Sequence, residues 1–322
     1  MGSQLSISGI YDLYNAGVAA DQSRTAFVVV HIYVDTYAER DMVLAVRDAL
    51  LPETPNSEVR VRALYDRRDI RGPRPDVGII IAGGSDKFVS ERAQAFAELG
   101  TPVVIVAETL LDIPSFEFSE ALMSRIATIV ASKPQTMVRH LARWLVDATD
   151  KGTAFSANFP FCRKERASRL VRDCAKDNAA SGISSLKSSD TTPVNTGSLL
   201  KLSLDVAAAY GKPMGPARIP ELLGVLGAGL GYKALANSIS GIAPGSGLLV
   251  RGGLGYAETY LSGHMVMARF EATDGNGPTL AERFMQIRSL LDRLPHNRLA
   301  AAAPGPEAGL ALAMPVAQGG GI

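Results

Sequence analysis

The fold of this chain is decided by one stretch, Ala26-Phe27-Val28-Val29-Val30-His31-Ile32-Tyr33-Val34, a nearly unbroken run of apolar and β-branched residues. Such a run is typical of a strand that is buried on both faces of a parallel sheet. His31 lies inside this strand, and we expect it to be a core residue whose hydrogen bonds are satisfied.

The segments around this strand alternate between strand patterns and helix patterns. Because parallel strands are joined by crossover helices, this alternation predicts an α/β domain with a mostly parallel, Rossmann-like sheet. Helices are predicted at about 39–51, 86–99 and 134–148, strands at 59–65, 76–82 and 102–107, a polar loop at 66–75, and either a helix end or a short strand at 122–130.

The pattern changes near residue 150, after which helical and glycine-rich segments replace the strand patterns. Helices are predicted at 163–178, 197–210 and 279–294, and a Ser/Thr-rich loop at 182–196. We therefore predict four parts, namely an N-terminal extension 1–25, an α/β domain 26–150, an all-helical domain 151–298 and a disordered tail 299–322.

The apolar, glycine-rich region 219–270 has two interpretations. Its longest uninterrupted apolar run, 222–232, is shorter than the roughly 20 residues that span a bilayer. The first interpretation is a helical hairpin buried in a soluble domain, where small residues allow close helix packing. The second is a hairpin that inserts into or lies against a membrane, beside a basic helix that contacts anionic lipid or a partner. The contact residues of that helix would be Arg163, Lys164, Arg166, Arg169 and Arg172.

Composition and charge exclude several classes of protein. The net charge of +1 removes the global electrostatic argument for nucleic-acid binding. The cysteines, Cys162 and Cys174, form neither a disulfide framework nor a metal site, which fits a reducing compartment. The four histidines are too scattered for a metal site. Since no secretory signal is visible, we expect a cytoplasmic protein, peripheral on the inner face of the cell membrane under the membrane interpretation.

The segment after the first strand lacks a working phosphate-binding loop. Aligned with G-x-x-x-x-G-K-[ST], its glycine positions hold Val34 and Glu39, its lysine position Arg40 and its hydroxyl position Asp41. Carboxylates there repel a triphosphate, and a nest of backbone N–H groups without glycine is strained. We therefore predict no catalytic residue and no cofactor.

The carboxyl ends of the strands are the remaining place for an unrecognised enzyme site, because α/β sheets bind ligands there. The residues that would line this crevice are Asp35, Asp66, Gly83, Gly84, Ser85 and Asp86.

The C-terminal half resembles a bacterial domain of unknown function that is often appended to Era-type GTPases or found in membrane proteins encoded beside them. The similarity covers about residues 155–271 and rests on the order and spacing of short segments. These segments are Phe159-Pro160-Phe161-Cys162-Arg163, Ala175-x-x-Asn178-Ala179, Ala207-Ala208-Ala209-Tyr210-Gly211, Glu221-Leu222-Leu223-Gly224, Pro244-Gly245-x-Gly247 and Ala257-Glu258-Thr259-Tyr260-Leu261-x-Gly263.

The N-terminal half resembles a degenerate GTPase domain. The segment 74–82 is similar to the strand before the base-recognition unit, and 100–106 to the strand that ends in Asn-Lys-x-Asp. Here Ala107-Glu108-Thr109-Leu110 follows, so the guanine-reading residues are missing, although Asp69-Ile70-Arg71-Gly72 has the form of a D-x-x-G motif. The resemblance implies a G-domain-like fold that has lost its nucleotide machinery.

Three hypotheses follow from these observations. The first is a non-catalytic pseudo-GTPase-like interaction or scaffold protein with a protein partner. The second is a membrane-associated component of a GTPase-linked system that uses the glycine-rich hairpin. The third is an enzyme with an unrecognised site at the strand carboxyl ends. Homo-oligomerisation is compatible with each of them.

Overall fold

A computed structural model describes residues 7–66, 74–184, 196–213 and 247–273 of the 322-residue chain. Within these ranges the strands are β1 (Val28–Val34), β2 (Ser57–Ala63), β3 (Val77–Ile81), β4 (Val103–Ala107) and β5 (Ile126–Val130). They form a five-stranded sheet in the order β2-β1-β3-β4-β5, and every neighbouring pair is parallel. The predicted parallel α/β sheet is therefore confirmed.

Helices connect the strands and continue after the sheet. They are α1 (Ile7–Thr25), α2 (Arg40–Ala49), α3 (Asp86–Glu98), α4 (Glu120–Met123), α5 (Pro134–Ala148), α6 (Gly152–Asn158), α7 (Arg163–Ser184), α8 (Thr196–Ala209) and α9 (Gly247–Thr273), with 3-10 turns at Leu110–Asp112 and Pro160–Cys162. The pattern at 122–130 thus resolves into the end of α4 followed by β5.

Two helix predictions differ from the structure. The helix from Arg163 continues to Ser184, beyond the predicted end at Asn178 and into the predicted loop. The helix α6 was not predicted, because all seven of its residues are buried and it has no polar face to create an amphipathic pattern.

The strand order places β1 between β2 on one side and β3 on the other. This is the flavodoxin-type order of a doubly wound sheet, in which the order of strand addition reverses at a switch point between β1 and β3. Alternate residues of the strands face opposite layers. One layer packs against α2 and α5, including Ile32, Ile79, Met42 and Leu141, while the other packs against α3, including Tyr33, Ile80, Val89 and Phe96.

The helices after the sheet extend one core and build another. Phe155, Phe159 and Cys162 join the core beneath α5. Helices α1, α7, α8 and α9 contribute Ala20, Val171, Leu202, Val206, Val266 and Phe270 to a second core. The chain divides into two compact units, Met1–Phe270 and Glu271–Ile322. The predicted boundary near residue 150 falls inside the first unit, and the domain division stays a prediction.

The second half of the glycine-rich region is the helix α9, whose residues Val266, Met267 and Phe270 are buried in the second core. No helix among the described residues is long and apolar enough to cross a membrane. The first half of the proposed hairpin (219–246), the predicted helix 279–294, the predicted tail 299–322 and the D-x-x-G-like segment 69–72 lie outside the described residues.

Candidate functional site

The switch point between β1 and β3 is occupied by the carboxylate of Asp35, the residue that follows β1. Oδ2 of Asp35 accepts hydrogen bonds from the backbone N–H groups of Gly83 at 3.1 Å and Ser85 at 2.9 Å. Oδ1 accepts from the hydroxyl of Ser85 at 2.8 Å and from the backbone N–H of Tyr37 at 3.2 Å. Asp35 is only 3 % exposed, so it acts as an internal clamp between the β1–α2 and β3–α3 connections.

The electrostatics of this clamp favour an ionised carboxylate. Burial acts to raise the pKa of Asp35, but the hydrogen bonds from Ser85, Tyr37 and Gly83 together outweigh it and hold the pKa below its ordinary value. The backbone N–H groups that would cradle a phosphate at this point of an α/β sheet therefore already hold an anion that belongs to the chain.

Glycine is required at the clamp because two connections approach each other closely. A Cβ atom at Gly83 would lie 2.3 Å from the backbone carbon of Tyr37 and 2.3 Å from the backbone nitrogen of Ala38. Gly84 has a φ of 99°, which side-chain-bearing residues rarely adopt. Gly83 and Gly84 lie between the predicted strand 76–82 and the predicted helix 86–99, and the structure shows that this connection also brings two backbones together.

The remaining predicted crevice residues make none of the clamp's hydrogen bonds. Gly84 and Asp86 are exposed, and Asp86 is the first residue of α3. Asp66 lies beyond the end of β2, where its carboxylate is 3.8 Å from Arg62 and its backbone oxygen accepts a hydrogen bond from Arg92 at 2.8 Å. Of the six candidates, the hydrogen bonds of the clamp join Asp35, Gly83 and Ser85.

The positions of the degenerate phosphate loop form no enclosure. Val34 is the last residue of β1 and is half-buried. Glu39, Arg40 and Asp41 are exposed at the start of α2. This part of the chain begins a surface helix.

Three of the five basic residues assigned to a lipid or partner surface contact other parts of the same chain. Arg163 pairs with Glu53, and Arg169 pairs with Asp147. Arg166 donates from Nε to the hydroxyl of Thr153 at 3.1 Å, and burial lowers its pKa. Lys164 and Arg172 are exposed. Lipid or partner binding by this helix stays a prediction, with fewer exposed charges than the sequence indicated.

The structure corrects the expectation that the hydrogen bonds of His31 are satisfied. His31 is buried, as predicted, but neither ring nitrogen has a hydrogen-bond partner among the described residues. Burial is the largest cause that lowers the pKa of His31 to about 4, followed by the nearby Arg60. The imidazole is thus a neutral, unsatisfied core group at neutral pH.

A cleft that the sequence did not reveal lies between the end of β2 and α3. It has a volume of about 390 Å³ and is lined by Leu64, Tyr65, Phe88, Glu91 and Arg92. The guanidinium carbon of Arg92 lies 4.1 Å from the centre of the Tyr33 ring. These side chains come from separate segments that only the fold brings together, so no local sequence pattern marks them.

The loop after β4 displays a pair of leucines at the carboxyl edge of the sheet. Leu110 is 76 % exposed and Leu111 is 91 % exposed. The turn that carries them is held by Asp112, whose carboxylate accepts hydrogen bonds from the backbone N–H of Thr109 at 3.1 Å and from its hydroxyl at 2.8 Å. The leucines are therefore presented by an ordered turn.

Among the described residues, no cluster of three or more His, Cys, Asp or Glu side chains could hold a metal ion. Comparisons with protein families, with curated proteins and with solved structures found no match to this chain. The class defined by the fold and the site is therefore a parallel α/β protein of flavodoxin-type strand order whose switch point is closed by its own aspartate.

Proposed function

We propose that this chain is a non-catalytic interaction protein whose sheet presents its carboxyl edge to a protein partner. The observation that carries the proposal is the Asp35 clamp. In open α/β sheets, ligands enter the crevice at the switch point, and here the Asp35 carboxylate takes the backbone donors of that crevice.

The clamp disfavours a phosphate ligand for two reasons. A phosphate would have to displace Asp35 from the N–H groups of Gly83 and Ser85, and the released carboxylate would then repel it. The same hydrogen bonds support the interpretation that the predicted α/β domain 26–150 does not bind a nucleotide. Its resemblance to Era-type GTPases stays a prediction.

The leucines of the β4 loop supply the apolar part of the proposed interface. Burying a fully exposed leucine contributes roughly 1.5–3 kcal/mol, so two adjacent leucines on an ordered turn form a strong anchor for a partner. Tyr37, which is 78 % exposed after β1, lies at the same edge of the sheet. Exposed apolar side chains of this kind are typical of protein interaction sites.

The first test is a titration of the full chain with fluorescent GTP and GDP, with and without magnesium. We expect no saturable binding at concentrations up to about 1 mM, which corresponds to less than about 4 kcal/mol of binding free energy. Micromolar, magnesium-dependent binding would contradict the proposal.

The second test addresses the interface. A photo-crosslinking amino acid at position 111 is compared with one at position 99, because Leu99 is also well exposed at 58 % but follows α3 at the opposite edge of the sheet. In the native host cell we expect discrete protein adducts from position 111 that are absent from position 99. Equal labelling at both positions would show that the leucine pair has no preferred partner.

A further inference from the structure

We propose that the cleft between the end of β2 and α3 binds a small aromatic ligand that carries one anionic group, such as a carboxylate. This inference goes beyond the interaction function, because it concerns a separate site on the other side of β1 from the switch point. It rests on the shape of the cleft and on the placement of Arg92.

The cleft has the size and walls of a small-molecule site. Its volume of about 390 Å³ lies within the range of roughly 300–1,000 Å³ that is usual for such sites. Leu64, Phe88 and Tyr65 provide aromatic and aliphatic surface, and Tyr65 is 59 % exposed at the mouth. The cleft also lies at the carboxyl end of β2, the edge at which α/β sheets bind ligands.

Arg92 is positioned to receive an anion. One of its terminal nitrogens donates to the backbone oxygen of Asp66 at 2.8 Å, and its guanidinium stacks over the Tyr33 ring at 4.1 Å. A guanidinium carries five N–H groups, and the bond to Asp66 uses one of them. The stacking and the bond fix the orientation of the group before a ligand arrives, which lowers the cost of binding a carboxylate.

The charges of the lining residues narrow the class of anion. Among the described residues that line the cleft, Arg92 carries the positive charge, so it matches one negative charge on the ligand and leaves a second one unmatched. A singly charged carboxylate therefore fits the cleft better than a doubly charged phosphate.

Tyr33 is the platform on which Arg92 stacks. Its ring lies beneath the guanidinium, is 1 % exposed, and is not among the side chains that line the cleft. The buried ring therefore supports Arg92 from the core side, while Arg92 itself lines the cleft.

The first experiment measures the binding of three probes to the full chain by calorimetry. The probes are indole-3-acetate, its neutral analogue indole-3-ethanol, and adenosine monophosphate as an aromatic phosphate. We expect indole-3-acetate to bind at least about tenfold more tightly than the neutral analogue, since a hydrogen bond to a charged group is lost. It is also expected to bind more tightly than the phosphate. No binding at about 10 mM, or equal binding of acid and alcohol, would overturn the proposal.

The second experiment locates the site with matched variants. Tyr65→Ser removes an exposed wall of the cleft, and Tyr14→Ser removes an exposed tyrosine of α1 outside it. Arg92→Met removes the charge of the cleft, and Arg139→Met removes that of an exposed arginine on α5. We expect about tenfold weaker binding of indole-3-acetate for the two cleft variants and unchanged binding for the two controls. Unchanged affinity in Tyr65→Ser, whose exposed position leaves the fold intact, would by itself place the probe elsewhere and overturn the assignment.

Discussion

At the scale of single residues, Asp35 accepts four hydrogen bonds, three of which tie the end of β1 to the loop before α3. Three of its donors are backbone N–H groups, which lose their partner when the carboxylate is removed. Since an unsatisfied buried donor costs about 1–3 kcal/mol, this one side chain controls a large share of the local stability.

The Asp35 clamp gives a direct stability prediction. We expect Asp35→Ala to lower the free energy of unfolding by about 3 kcal/mol, and Ser85→Ala, which removes one donor, by about 1 kcal/mol. Urea unfolding near neutral pH measures both. Because the pKa of Asp35 is held below 3.8 in the folded state, its contribution is present above that pH and is lost on further acidification. Equal losses in the two variants would contradict the clamp.

His31 also makes the free energy of unfolding depend on pH, in a higher pH range than Asp35 does. The pKa of His31 is about 4 in the folded chain and 6.5 as the ordinary value, so the unfolded chain binds the proton first. The stability is fully present above about pH 6.5 and falls as the pH drops toward 4. We expect a loss of about 2 kcal/mol between about pH 7 and pH 5.

The His31 prediction is checked by urea unfolding at both pH values in three proteins. We expect His31→Leu to remove most of the loss, because the titrating group is gone. The control His140→Gln replaces an exposed histidine on α5, outside the core. The assignment to His31 fails if its replacement leaves the difference between the two pH values unchanged.

At the scale of elements, α7 and α9 approach each other so closely that a glycine is needed between them. A Cβ atom at Gly263 would lie 2.5 Å and 2.7 Å from the two γ carbons of Val171. The buried side chains of Asn178 and Thr259 join the same helices through a hydrogen bond of 2.9 Å. Gly263 belongs to the glycine-rich region in which small residues were expected to allow close helix packing, and Val171 of α7 is its neighbour.

Replacing Gly263 by alanine tests whether the cost of overpacking against Val171 exceeds the gain in helix propensity. Alanine is favoured over glycine by about 1 kcal/mol inside a helix, but overpacking costs about 1–3 kcal/mol. We therefore expect Gly263→Ala to destabilise the chain. Gly17→Ala on α1, where an added Cβ meets nothing within 4 Å, is the matched control and is expected to stabilise it.

The double variant Gly263→Ala with Val171→Ala completes the thermal-unfolding series. Removing the γ carbons of Val171 makes room for the new methyl group, so the double variant is expected to be more stable than the sum of the single effects predicts. Additive effects would show that the two residues do not contact each other in solution.

At the scale of the whole molecule, the helices after residue 150 complete the core of the α/β sheet. Phe155, Phe159 and Cys162 are each 0 % exposed and pack with residues of the sheet and of α5. The pKa of the Cys162 thiol is raised by this burial. A cut at the predicted boundary would remove these side chains and expose the surface that they cover.

A fragment of residues 1–150 tests that dependence. Deleting a buried aromatic side chain costs about 3–5 kcal/mol, and the cut removes two, so we expect the fragment to lose cooperative unfolding in urea. The full chain is the control. A fragment that unfolds cooperatively with the stability of the full chain would support the domain boundary near residue 150.

Much of the α/β architecture could be predicted because a buried strand requires a continuous apolar segment, which is visible in the sequence. The runs around Val28–Val34 and Val103–Ala107 are apolar almost throughout, which is what strands covered on both faces require. The sequence placed Asp35, Gly83 and Ser85 at the carboxyl ends of the strands as candidates to line a ligand crevice, and it did not predict that they bond to one another. Their hydrogen bonds depend on which strand neighbours β1, and a strand order is not contained in any single segment.

The sequence by itself determined the class of fold, the alternation of strands and helices, and the absence of glycine and lysine from the loop after the first strand. These properties follow from residues that are close together in the chain. Only the tertiary structure decided that Asp35 closes the switch point, that Tyr65 and Arg92 line one cleft, and that Arg163 and Arg169 pair within the chain. The physical reason is that these contacts join residues far apart in sequence, so they exist only once the strand order and helix packing have brought their elements together.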